Sequence, residues 1–452
     1  MKPIFWSYLS QSLFQHDVIA PTIHYDGRLP SPLPVSELLA ETTGLAAVAL
    51  AKLRTQSPQE VIVDGRLCGF WSLTSCTPIG WTPHNTWDPL SSIFKGVDGW
   101  IRLHTNASNH KKVAIKVLGD VTSEEAAATV IANREVADLE RCIIESGGAA
   151  AHMITWDKWK NHPQGKAVAE APLIEWFEKL VPASDKLRSA NYLSDRPLSH
   201  LKVLDLTRVL AGPVATRTLA GYGADVLRID PENWDDSGLL HDTTVGKRCA
   251  KLDLHKVADR KIFEGLLKRA DVLVHGYRPG ALANLGYDQI HLGQIQPTLI
   301  DVSLSAYGCQ GPWAERRGYD SLVQFSSGIA DICSDVNGKP GKLPVQALDH
   351  VAGHLIAAII FRSLHRAKEG QVMSVRISLA RIARLLCEAQ YGTQIVEPIP
   401  PLDDRDFSDD IEYSAWGMLR RLRPSTSVPG APIRWDIPSG NLRRHLPKWH
   451  RE

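Results

Sequence analysis

Between residues 201 and 308 short apolar runs alternate with amphipathic stretches. "LKVLDLT" predicts a buried strand, "GPVATRTLAGYG" a helix closing on glycines, and "ADVLRID" a second strand. "HKVADRKIFEGLLKRA" has the spacing of an amphipathic helix, followed by strand "DVLVHGY", short helix "DQIHLGQIQP" and strand "TLIDVSLSAYG". Strands and helices alternating in this way build βαβ units on a parallel sheet, so the expected fold is α/β and Rossmann-like. Farther along, Val351, Leu355, Ile356, Ile359 and Ile360 recur at helical spacing and predict a core helix. Its longest apolar run, "HLIAAIIF", is shorter than a bilayer span, and no membrane association is expected.

Comparing segments exposes an internal repeat. "PVSELLAETTGLAAVALAKLR" (34–54) resembles "PVQALDHVAGHLIAAIIFRSLHR" (344–366), and each precedes a strand-like run, "EVIVDGRL" or "QVMSVRISL". Setting Gly44 against Gly353 places Ala40 opposite Asp349, with Glu37 and Glu41 off register. The first copy is followed by "DGWIRLHTN" (98–106), helical stretches around 122–146, "TWDKWKNHPQGKAV" and "LIEWFEKL". The second runs through "PPLDDRDFSDD" into a Trp-, Arg- and Pro-rich tail. Three segments follow: 1–195, an N-terminal half carrying a degenerate copy and a smaller α+β domain; 196–390, the Rossmann-like domain with the Asp349 helix; and 391–452, the tail.

Charge and cysteine content narrow the function classes. Fifty-one Lys and Arg against fifty Asp and Glu leave a net charge of +1, which argues against a nucleic-acid partner. The seven cysteines form no CxxC pair, and "MKPIFWSYLSQSLFQHD" lacks the features of a signal peptide, so a reducing, cytoplasmic setting is expected. "TRVLAGPVAT" is not the GxGxxG turn of dinucleotide enzymes, and its Pro213 fits the first turn of a helix better than a phosphate cradle. His350 and His354 share a helix face without a third ligand at a telling spacing, so no metal is expected. Asp349 sits where a helix first turn begins, a position that suits a cap and equally suits a reactive carboxylate held at the positive end of the dipole.

"LKVLDLTRVLAGPVATRTLAGYGADVLRID", "GKRCAKLDL", "DVLVHGYRPGALANLGYD", "SAYGCQGPWAERRGYD" and "QALDHVAGH" resemble, in order, the markers of class III CoA-transferases, the group of formyl-CoA and carnitine CoA-transferases and α-methylacyl-CoA racemase. The resemblance runs from about Leu201 to Leu379, and "DGWIRLHTN" marks the smaller domain of the same group. It implies that Asp349 is a nucleophile forming an aspartyl-CoA intermediate, that coenzyme A enters as acyl-CoA, and that a carboxylic acid accepts it. It further implies a pantetheine channel along Arg208, Val209, Leu210, Ala211, Gly212 and Pro213 and a basic pair, Lys247 and Arg248, beside the CoA phosphates. Leu252, Gly276, Arg278 and Tyr319 complete the implied CoA site, and a homodimer is the implied assembly. Three positions depart from the pattern: Pro231 follows Asp230 in place of Arg, Gly276 replaces Asn, and Asn284 replaces Arg, which turns attention to Lys251 or His275 as substitutes. The racemase branch pairs its Asp with the His of a "GHD" motif; "GYD" here disfavours that chemistry unless His350 takes the second catalytic role. A non-catalytic homologue acting as a partner subunit is the other alternative.

Overall fold

The computed structural model describes residues 3–450 apart from 56, 86, 183, 236 and 390–396. Seven strands, Glu175–Leu180 (β1), Lys202–Leu206 (β2), Asp225–Asp230 (β3), Lys247–Lys251 (β4), Val272–His275 (β5), Ile300–Ser305 (β6) and Gln371–Ser378 (β7), form one sheet in the order β4-β3-β2-β5-β6-β7-β1. All pairings are parallel except that of β1 with β7. Val203, Leu204, Val226, Leu227, Val272, Leu273, Val274, Ile300 and Val302 are buried on both faces of the sheet, which is why the central strands read as continuous apolar runs. From β4 through β7 this is the doubly wound order, and the winding reverses between β2 and β5. Ligands of open α/β sheets bind beyond the carboxyl ends of strands at such a reversal.

Four helices position the rest: Val35–Arg54 (α1), Ala211–Gly221 (α2), Asp320–Ser326 (α3) and Ala347–Ala367 (α4). α4 is apolar almost all round because it packs against both α1 and α2. At 21 residues it exceeds what its apolar run implied and is long and apolar enough to cross a bilayer, yet 89% of its most apolar 18-residue window is buried inside the protein.

The repeat is visible in the backbone. The residues before α1 and α4 share an uncommon conformation, φ −76° and ψ 60° at Pro34, φ −75° and ψ 67° at Gln346. In each, a tight turn brings the first helical N–H onto a carbonyl two residues back, Val35 to Leu33 and Ala347 to Val345. Each helix leads to a strand paired in parallel, Ile62–Asp64 with Thr22–His24 and β7 with β6, then to a helix capped by the last strand residue, Asp64 or Ser378. Measured from the helix start, Glu37 and Asp349 are both third residues; the glycine match set Ala40 there, because α1 begins about one turn earlier relative to its glycine. Glu37 is buried and paired with Arg28.

The three segments interleave. The hairpin Phe407–Ser414 and Gly417–Leu422 pairs with Cys76–Ile79, and Thr426–Ser427 joins Ile62–Asp64, so the tail closes over the N-terminal half. Conversely, β1 comes from the first segment. The expected boundary at 390 and 391 lies outside the described residues. The smaller α+β body is a three-stranded sheet, Ile93–Lys95, Trp100–Leu103 and Ala150–His152, covered by Ser108–Leu118, Glu124–Ile131 and Val136–Glu145 around its own core of Phe94, Ile101, Leu103, Ile131, Leu139 and Ile143.

α4 approaches α2 so closely that a Cβ on Gly353 would lie 2.7 Å from the Ala211 carbonyl oxygen and 2.8 Å from Val214 Cβ. Backbone cannot yield as a flexible side chain does, so Gly353→Ala is expected to destabilise the fold by about 1–3 kcal/mol. Gly265, inside the helix Val257–Leu267, has open space where its Cβ would be. Gly265→Ala is therefore expected to stabilise by about 0.5–1 kcal/mol. Denaturant midpoints moving in opposite directions at constant m-value check this pair.

Candidate active site

The crevice beyond β2 and β5 is shaped by one buried ion pair. Asp205 and Lys247 are fully buried, with Lys247 Nζ 3.1 Å from Asp205 Oδ2. Lys247 also donates to the Pro213 carbonyl at 2.9 Å, while Thr207 and Thr216 donate to Asp205. Burial pushes the Lys247 ammonium down to about 8, against the pull of Asp205. Burial opposes the charge on Asp205, but Lys247 and Arg228 hold its carboxyl below the usual range. This clamp ties β4, the turn after β2 and the start of α2 together. In that turn Val209 has φ 64°, an uncommon conformation for a β-branched residue and one that concentrates at functional sites. A Cβ on Gly212 would fall 2.2 Å from Thr207 Cγ2, so the tight packing there requires glycine.

The crevice has a volume of about 500 Å³. It gathers nine of the residues singled out from the sequence: Arg208, Val209, Leu210, Ala211, Gly212, Gly276, Arg278, Tyr319 and Asp349. Past Tyr319 it meets a second cavity of about 450 Å³, lined by Trp87, His104 and Asn106 of the smaller body and by Trp234.

Asp349 is the third residue of α4 and is 8% exposed. It does not cap its helix. Asp320, the first residue of α3, does so from outside: its Oδ2 accepts the Asp349 N–H at 3.1 Å, and the Leu348 N–H also bonds to it. Asp320 Oδ1 accepts from Gln324 Nε2 at 2.5 Å, and Gln324 Oε1 accepts the Leu343 N–H at 2.9 Å. Burial, then the neighbouring Asp320, push the Asp349 carboxyl well above the usual range. Burial pushes Asp320 up to about 6 against its hydrogen bonds. The two carboxyls titrate as a pair.

Several functional candidates were missed in the sequence. Tyr319 stacks on His104, ring centroids 3.8 Å apart, and its hydroxyl lies 3.4 Å from His110 Nδ1. Burial pushes these histidines down to about 3 and about 4, leaving both neutral at physiological pH. Arg316 pairs with Glu140 at 2.5 Å and lies over Trp313, tying the crevice wall to the smaller body. Arg317 lines the crevice beside Arg278, and burial followed by that like charge pushes its pKa down. Arg208 sits over the rings of Trp234 and Tyr277. The arginines lie inside the quoted "AERRGYD", but no local spacing brings His104 and His110 to Tyr319.

Five expected site residues lie elsewhere. Lys247 points into the interior as described, and Pro213 receives its hydrogen bond. Arg248, its neighbour along the strand, points to the opposite face and lines a different cavity at the sheet edge. Leu252 packs in the core with Leu254 and Phe263. His350 faces a small cavity of about 50 Å³ with His354, Arg217, Trp71 and Trp435, because successive helix residues are turned by about 100°. Burial, His354 and Arg217 push the pKa of His350 well down. The suggested substitutes also lie apart: Lys251 pairs with Glu232 at the surface, and His275 lies 3.5 Å from Asp301. Among the described residues no three His, Cys, Asp or Glu gather as a metal site.

Residues 198–448 match CoA-transferase family III. The chain is 27% identical over 373 residues to an acyl-CoA transferase of Gibberella moniliformis, covering 77% of this chain and 63% of that one. It is 30% identical to a succinate–glutarate CoA-transferase of Agrobacterium fabrum, over 46% of this chain and 56% of that one. A formyl-CoA:oxalate CoA-transferase of Escherichia coli is 29% identical over 48% of this chain and 57% of its own length. The chain thus spans roughly three fifths of the length of these curated relatives. Among solved structures, a hypothetical protein of Mycobacterium tuberculosis aligns at 30% identity with TM-score 0.39, over 41% of this chain and 55% of that one. The match over more than half of its length places this chain in CoA-transferase family III.

Proposed function

We propose that this protein moves CoA from an acyl-CoA to a carboxylic acid with Asp349 as the nucleophile. The observation that carries the reading is a carboxyl at the base of an arginine-lined crevice whose capping duty is performed by a second acid. An ionised, poorly hydrated Asp349 attacks the thioester carbonyl; the C–S bond breaks, CoA leaves as thiolate, and a mixed anhydride remains. The thiolate attacks the Asp349 carbonyl, releasing the donor's carboxylate and leaving an aspartyl-CoA thioester. The acceptor carboxylate attacks that thioester, again expelling thiolate, which then takes the acceptor's acyl group and restores Asp349. No water is consumed, so a crevice walled by the smaller body protects the anhydrides.

Each tetrahedral intermediate needs donors. The first turn of α2 presents the backbone of Ala211 and Gly212 to the crevice. N–H groups at a helix start have no partner within the helix and sit at the positive end of its dipole. Arg208, Arg278 and Arg317 supply positive charge for the CoA phosphates. Burial, then Asp320, raise the basicity of Asp349, and a more basic carboxylate is the stronger nucleophile once ionised.

His110 favours a second reading. A neutral imidazole shares the crevice with Asp349, and such a base is what proton exchange beside a thioester requires. Deuterium uptake at the α-carbon of a branched acyl-CoA, faster than CoA transfer, would favour a racemase; the transferase reading predicts transfer without uptake.

Asp349→Asn is expected to abolish transfer and to stabilise the fold. Because burial and Asp320 raise the folded-state pKa of Asp349, the protonated acid is tolerated below its unfolded value and stability is lost as pH rises through the folded value. Asn removes that loss. The gain in denaturation free energy should be on the order of 1 kcal/mol at pH 8 and vanish near pH 4. An equal gain at both values would contradict the charge assignment.

Asp320→Asn removes the like charge beside Asp349 while keeping an acceptor for the helix N–H groups. The pKa of Asp349 should fall, and the acidic limb of the kcat profile should move to lower pH. A limb that stays in place would show that another group controls it.

A further inference from the structure

Strand β4 turns Lys247 inward and Arg248 to the other side, where the C-terminal stretch covers the open edge of the large sheet. The covering is specific: the Cys249 N–H donates to His445 Nδ1 at 3.0 Å, and the His445 N–H donates to the Cys249 carbonyl at 2.8 Å. Between strand and tail lies a cavity of about 400 Å³ lined by Arg248, Ile437, His445, Lys448, Trp449 and His450. None of these residues lines the crevice that holds Asp349.

Arg248 is 8% exposed, and its guanidinium, which among the described residues has no hydrogen-bond or ion-pair partner, opens into this cavity. A guanidinium held at a cavity wall with no acceptor beside it has its donors free for an anion. Among the described residues no carboxylate lines the cavity. Asp225 is close by, but its Oδ2 accepts the His450 backbone N–H at 2.8 Å. His445 accepts at Nδ1, so its neutral ring carries a proton on Nε2 and is a donor. Trp449 forms a firm floor: it is 3% exposed, with Nε1 donating to the Leu266 carbonyl at 3.3 Å.

We propose that this sheet-edge cavity binds a small phosphate-bearing anion, held by the Arg248 guanidinium with Lys448 and His445 as further donors. A planar guanidinium fork and a nearby ammonium suit a phosphoryl group, with its several acceptor oxygens and its greater charge, better than a single carboxylate. The volume exceeds that of inorganic phosphate, leaving room for the molecule that carries it.

Calorimetric titration of the full-length protein at pH 7 with ADP, and separately with inorganic phosphate, tests the site. Saturable binding of ADP is expected, weakened about tenfold or more by Arg248→Gln, the loss of one charge-assisted contact. Lys448→Gln should also weaken it; this residue is exposed, so the variant remains informative if Arg248→Gln fails to fold. ADP can also meet the crevice arginines proposed for the CoA phosphates, so Arg278→Gln should weaken only that component and leave in place the component that Arg248→Gln removes. Comparable affinity for inorganic phosphate would identify the phosphoryl group alone as the ligand, and binding of ADP only would make the nucleoside part of it; both support the site. Absence of saturable binding, affinity untouched by both Arg248→Gln and Lys448→Gln, or binding lost entirely with Arg278→Gln would overturn it.

Discussion

At the amino end of α4 two carboxyls compete for one set of backbone donors, and the arrangement of the crevice follows from how that competition resolves. Asp320 takes the Leu348 and Asp349 N–H groups and is itself held by Gln324, which also braces Leu343 at the approach to the helix. Asp349 is left at the crevice surface with no capping bond and with a like charge behind it. A cap needs its acid charged and satisfied; a nucleophile needs one that is charged and unsatisfied. Dividing the two tasks between α3 and α4 meets both needs. The cost is a raised pKa for the pair, a form of instability concentrated at a functional site.

A second constraint comes from assembly of the chain out of unequal copies. The first copy keeps a strand, the α1 helix, a following strand and a capped helix, but Arg28 occupies its third-residue acid, Glu37. The smaller body that follows this copy faces the other copy's crevice, where it contributes His110 to the lining and braces the wall with His104 against Tyr319 and Glu140 against Arg316. The tail behind the second copy returns to pair with strands of the first. Neither half is therefore a closed unit: each supplies edges and walls to the other.

The parallel sheet was legible because strands buried on both faces leave long apolar runs, and β2, β3, β5, β6 and β7 lie where those runs fall. β4 carries Lys247 and Arg248 and so resembles a loop; its lysine is tolerated only through Asp205, a contact between strands that no local pattern encodes. Asp349 was legible through its place at a helix start. Its separation from His350 was not, since adjacency in sequence hides the turn of a helix that sends the two side chains to different cavities. The role of Asp320 as an external cap, and the meeting of His104 with Tyr319, depend on packing between distant segments. The tail hairpin was unreadable for the same reason, as its partner strand Cys76–Ile79 lies in the first quarter of the chain.

The proposed transfer runs through a covalent bond to one carboxyl, and trapping that bond tests it most directly. Incubation with an acyl-CoA, brief treatment with hydroxylamine and mass spectrometry of the peptide containing Asp349 should reveal a hydroxamate at that residue, dependent on acyl-CoA and absent from Asp349→Asn. Turnover of CoA between donor and acceptor with Asp349 unmodified, or with the label on another residue, would contradict the account.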